Sequence, residues 1–210
     1  VAAGAIVRAA SLALTAGALS VAGDSTSRTE ARSIAGAGRG KVAVAGSIAI
    51  AIAAGGALAR LAGTAEAQSV TLAASADGRA TAQALPAGHG VTSDGDLGLG
   101  ASVALAVTTT AVTAEVAHGA QIVGAATLAV TATSVAQTSA EARMGAAGGE
   151  VAVTPAVAIA LSSPVTLARV GSGATLAVVG AFTLAARSRA ATTATAGAIV
   201  VGAGTADRKS

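Results

Sequence analysis

The chain has no cysteine, tryptophan or tyrosine, and only one phenylalanine, Phe182, and one methionine, Met144, in 210 residues. Without cysteine there is no disulfide framework, no cysteine-ligated zinc and no thiol nucleophile. Without aromatic rings there is no platform on which single-stranded bases can stack. Charge is scarce too, at 11% of residues against roughly 25% in an ordinary soluble domain. The net charge of +3 comes from scattered positions such as Arg8, Arg28, Arg32, Arg39, Arg60, Arg79, Arg143, Arg169 and Arg187. None forms the dense basic stripe that a nucleic-acid backbone requires. Nucleic acid is therefore not an expected partner.

Small side chains dominate what remains. Alanine supplies 63 residues and glycine 27, with Val, Ile, Leu and Thr making up much of the rest. Disordered chains are charged and poor in β-branched residues, the reverse of this composition. The opening V-A-A-G-A-I-V has neither Met nor a basic leader segment, and reads as a cut into a longer chain.

Self-similarity is the strongest signal. Residues 102–134 and 156–188 align without a gap at an offset of 54. Val103 falls on Val157, Leu105 on Ile159, Val107 on Leu161, Gly119 on Gly173, Ile122 on Leu176, Leu128 on Phe182 and Val130 on Leu184. An earlier copy places Ile48, Ile50 and Ile52 on the same positions, and Val70 and Leu72 on Leu128 and Val130. The chain thus reads as one array over 1–210, with copies at 1–41 (partial), 42–84, 101–150 and 155–204. Residues 85–100, L-P-A-G-H-G-V-T-S-D-G-D-L-G-L-G, read as an inserted loop.

Within each copy the period is two, which specifies strand rather than helix. Ile48, Ile50 and Ile52 alternate with Ala49 and Ala51. Copies of such strands bury their faces by stacking on one another. The expected fold is all-β: a right-handed parallel β-helix, or β-solenoid, forming a fragment of a longer repeat array. Val, Ile and Leu are expected to fill the tube and Ala, Ser and Thr to line its outside. A 54-residue repeat then holds two or three coils of roughly 18–27 residues, and about ten coils give a rod roughly 45–50 Å long.

The pattern A-V-A-I-A-L…A-R-V-G-S-G-A-T-L…G-A-F-T-L-A-A-R-S, over 42–84 and 102–198, resembles repeats of large bacterial exoproteins. Those are the filamentous-haemagglutinin-like and autotransporter-passenger-like adhesins. The resemblance implies a non-enzymatic structural or adhesive stalk, an extracellular or outer-surface location, and host or cell-surface ligands. The chain is poor in Asn and has no clear end cap, departing from that family.

No catalytic, cofactor-binding or metal-binding residue is assigned. His118 aligns with Ser172 at a turn, and His89 lies in the 85–100 segment. Asp94 and Asp96 supply too few oxygens for calcium, so they read as a polar turn. Glu115 aligns with Arg60 and Arg169 and reads as an outward turn position. Thr108, Thr109, Thr110, Thr127, Thr131 and Thr133 suggest a hydroxyl-bearing face. Two alternatives stand beside the stalk: a membrane-embedded Ala/Gly-rich helical protein, from the uncharged run 42–59, and a ligand- or ion-binding module using residues 85–100.

Overall fold

The computed structural model describes residues 12–13, 17–38, 40–92, 97–147 and 151–201. Ten strands account for most of them: β1 (Leu12–Ala13), β2 (Ala18–Ala37), β3 (Val42–Leu61), β4 (Thr64–Glu66), β5 (Ser69–Thr92), β6 (Leu97–Val116), β7 (Gln121–Ala147), β8 (Val151–Val153), β9 (Ala156–Val170) and β10 (Thr175–Val201). The described residues contain no helix, despite the helix propensity of alanine. The helical alternative for residues 42–59 fails here, because that run lies in β3.

All strand pairs are parallel, and they divide into two sheets. The first sheet holds β1, β2, β4, β5, β7 and β10; the second holds β3, β6, β8 and β9. The chain crosses from one sheet to the other and back, so each copy lays one long strand path in each sheet. The sequence repeat is the physical register. Ile48, Ile50 and Ile52 pair with Val103, Leu105 and Val107, and these pair with Val157, Ile159 and Leu161. In the first sheet Leu19 and Val21 pair with Val70 and Leu72, which pair with Leu128 and Val130, which pair with Phe182 and Leu184. One whole copy therefore makes one layer. The expected subdivision into coils of 18–27 residues is wrong, because strands of 20–27 residues take up the copy in two crossings.

Turns recur at one end of the layers. Gly119 and Gly173 occupy equivalent turns with φ of 70° and 69°, a left-handed conformation that glycine adopts without strain. The Gly119 amide donates to the Ser172 carbonyl of the next turn at 3.2 Å. The 85–100 segment is not a separate loop. Leu85–Thr92 continue β5 and Leu97–Gly100 open β6. A register shift between Ala84 and Val91 absorbs the extra residues as a bulge, and Pro86 lies within it, where a missing N–H is tolerated.

The interior between the sheets changes along the strands. At the end near the Gly119 turn it is aliphatic: Leu19, Leu61, Val70, Leu72, Val112, Val116, Ile122, Leu128 and Val130 are buried together. Farther along its apolar residues are alanines, Ala49, Ala51, Ala53, Ala80, Ala82, Ala84, Ala104, Ala106, Ala140 and Ala142, with Ser47, Ser102 and Thr138 buried among them, and beyond these Val91 and Met144 are buried. Facing sheets with ordinary side chains stand about 10 Å apart. Alanine on both faces lets them come closer. The sheets also approach closely within the first cluster, at Gly23 of β2 in the row of Ala74, where an added Cβ meets the Leu58 carbonyl oxygen of the opposite sheet at 2.6 Å. At Gly78 it meets the methyl groups of Thr108 and Thr110 at 2.8 Å.

This arrangement overturns the expected core in the second sheet. Ile48, Ile50 and Ile52 are 67%, 54% and 58% exposed, whereas Ala49, Ala51 and Ala53 are buried. The aliphatic residues line the outside there and the alanines line the inside.

Candidate interaction surface

The cause of the inversion lies at the ends of the strands. Arg60, Glu115 and Arg169 occupy one register row across β3, β6 and β9. Each shares its parity with the aliphatic residues upstream: Arg60 with Ile48, Ile50 and Ile52; Glu115 with Val103, Leu105 and Val107; Arg169 with Val157, Ile159 and Leu161. The β3–β6 ladder and the β6–β9 ladder run without a register shift, so alternation is strict over the whole length. Turning the isoleucines inward turns three charges inward with them. Burying a charge costs far more than an aliphatic side chain recovers. The opposite parity places Leu61, Val112 and Val116 in the aliphatic end of the core.

Glu115 is not the turn residue expected from the sequence. It lies inside β6 and is 8% exposed. Its carboxylate accepts from the Arg169 guanidinium at 2.7 Å, and Arg60 Nε lies 3.8 Å from its other oxygen. One carboxylate thus sits between two cations contributed by the layers on either side. Alternating signs at a single repeat position were the signal for this ladder, since like charges in adjacent strands repel.

The outward faces of the two sheets differ in kind. On the first sheet the outward rows are largely polar, with Ile34, Val123, Val179 and Ile199 exposed among them. The Ser75 hydroxyl donates to the Asp24 carboxylate and Arg79 donates to Gln137. Gln83 Nε2 donates to Glu141 at 3.2 Å, and Glu141 also pairs with Arg143 at 2.7 Å. Arg28, Glu30, Arg79 and Gln137 border a shallow polar groove. On the second sheet the outward rows from Val42 to Leu58, with their partners in the next two layers, carry no charge. Val42, Val44, Val103, Val153, Val157, Ile159, Leu161, Val165 and Leu167 are exposed beside the three isoleucines. A contiguous aliphatic sheet face of this kind marks an interaction surface rather than ordinary solvent-facing structure. It is the most distinctive surface feature of the molecule, and the sequence reading placed it inside the core.

The other residues singled out from the sequence do not converge. His118 is exposed at its turn, with Nδ1 3.0 Å from the Ser172 hydroxyl of the next layer. Asp94 and Asp96, and the side chain of His89, lie outside the described residues. The threonines divide between faces, with Thr127, Thr131 and Thr133 on the outward side of β7. Thr108 and Thr110 are buried between the sheets, Thr109 points outward, and Thr127 bonds to Ser69 across adjacent layers at 2.9 Å. Among the described residues no three His, Asp or Glu side chains come together as metal ligands, and no helix is long and apolar enough to cross a membrane. Compared with protein-family models, curated proteins and solved structures, the chain matches none.

Proposed function

We propose that this chain is a non-enzymatic structural segment of a larger repeat protein, a right-handed β-solenoid serving as a stalk or spacer on a bacterial surface. The observation that carries the reading is the layer register: every copy pairs in parallel with the next at the spacing of the sequence repeat. Parallel crossovers of this kind are right-handed in nearly all proteins. The resemblance to exoprotein repeats and the absence of cysteine agree with an exported array, and surface ligands are its expected partners.

The edges support extension along the stacking axis. β10 pairs with β7 on one side only, and among the described residues nothing pairs with its other edge. Its Phe182 and Leu184 continue the buried column of Leu128 and Val130, yet are about half exposed. Another layer in register covers them. Each copy adds about 4.8 Å to the stack.

The test is a genetic duplication of the 210-residue chain. Small-angle scattering of the single and doubled proteins should show a particle longer along one axis, with an unchanged cross-section and a higher melting temperature. Two separate particles joined by a linker, each melting as the single chain does, overturn the reading.

A further inference from the structure

We infer that the aliphatic face of the second sheet is a self-association surface on which a second copy of this chain docks face to face. This goes beyond axial stacking, because it concerns the broad side of the layers rather than their edges.

The face carries rows of large and of small side chains along its strands. Ile48, Ile50 and Ile52 of β3, with Val103 and Leu105 of β6, form a ridge. Next to it the row of Ala54, Thr109 and Ser163 and the row of Gly56 and Ala111 carry smaller side chains, with Val165 standing exposed at the β9 end of the second. A two-fold axis crossing the strands between Ile52 and Ala54 lays the ridge of each copy onto these smaller rows of the other, with the strands of the two copies antiparallel. Ile50 then covers the partner's Gly56. In a two-fold interface each such contact occurs twice.

The charged row is accommodated by the same operation. Arg60 and its row fall over the partner's Gly46 row, where no large side chain stands. Glu115 already lies between Arg60 and Arg169, so the partner need supply no counter-charge.

The area is that of a stable dimer. The overlap runs from Gly46 to Arg60 across three layers, about 50 Å by 14 Å at about 3.3 Å per residue and 4.8 Å per strand. Two copies bury roughly 1,400 Å², within the roughly 1,200–2,000 Å² of stable interfaces. Chemistry favours a protein over a lipid surface. The one aromatic residue, Phe182, lies in the other sheet, so no aromatic anchor borders the face, and its cations Arg60 and Arg169 are already paired with Glu115.

Sedimentation equilibrium of the 210-residue chain from about 0.1 to 100 μM is the test. The expected species has twice the 19.3 kDa monomer mass. Combining Ile50→Thr, Leu105→Thr and Ile159→Thr should raise Kd at least about 100-fold, since central apolar anchors dominate binding, with an unchanged circular dichroism spectrum. Thr81→Lys on the polar sheet should leave Kd unchanged. As a second readout, an equimolar mixture of Ile52→Cys and Ala54→Cys chains should oxidise to the mixed disulfide in preference to either homodimer. A monomer throughout that range, oligomers that survive the triple substitution, or a monomer that binds phosphatidylcholine or phosphatidylglycerol vesicles each overturns the proposal.

Discussion

Two zones of the interior are built on opposite principles. Near the Gly119 turn, large side chains from both sheets meet, and Leu72, Ile122 and Leu128 are buried. Just beyond the Gly78 position the facing residues are mostly alanine, with the hydroxyls of Ser47, Ser102 and Thr138 buried among them. The first zone behaves as an ordinary core, in which burying one Leu, Ile or Val contributes about 1.5–3 kcal/mol. The second gains little per residue and depends on fit. Sheets held apart mostly by alanine leave no room for an added methylene, and the isoleucines displaced from this zone create the exposed face. What the chain does with its surface thus follows from how thin it is inside.

The comparison can be broken most strongly at the aliphatic end. Leu72→Ala should cost about 3 kcal/mol, within the range for large-to-small core changes, whereas Ile50→Ala on the outer face should cost less than about 1 kcal/mol. Urea denaturation followed by circular dichroism separates them. Equal losses at both positions contradict the placement of Leu72 inside and Ile50 outside.

The alanine zone should fail in the other direction. Ala82→Leu places three extra heavy atoms between the sheets and should cost about 1–3 kcal/mol through overpacking. Ala22→Leu, on the exposed face of β2, should change stability by less than about 0.5 kcal/mol. If Ala82→Leu is neutral or stabilising, the sheets are farther apart than described here.

A smaller effect tests the parity argument. Glu115→Gln leaves Arg60 and Arg169 on either side of a neutral residue. Partly screened ion pairs are worth about 0.2–1 kcal/mol each, so the variant should lose about 1 kcal/mol. The loss should shrink as salt is raised to 1 M, where charges are screened within about 3 Å. A loss independent of salt points to packing rather than charge.

Much of the fold was legible in the sequence. The gap-free alignment of Val103 with Val157 and of Leu128 with Phe182 gave strand registers that the structure reproduces. The period of two gave the strands. Coil length was not legible, because nothing in a repeat of that size says how often the chain turns within it. Facing was misread because hydrophobicity was weighed without the ends of the strands. Ile48 to Ile52 look like core residues taken alone, but Arg60 shares their parity, and a strand without a bulge cannot place both correctly. The close approach at Gly23 was invisible for a different reason: its partner, Leu58, lies at a non-equivalent position of the next copy, across the sheet interface, and a repeat alignment compares only equivalent positions.

The inversion of β3 is tested most directly by thiol labelling, because the chain has no cysteine of its own. Ile50→Cys and Ala51→Cys variants are exposed to a maleimide reagent at nanomolar protein concentration, where face-to-face pairs are dissociated. The thiol at position 50 should react at nearly the rate of a free thiol, and that at position 51 should be protected until the protein unfolds. Rapid labelling at 51 with protection at 50 would mean that the isoleucines fill the interior after all.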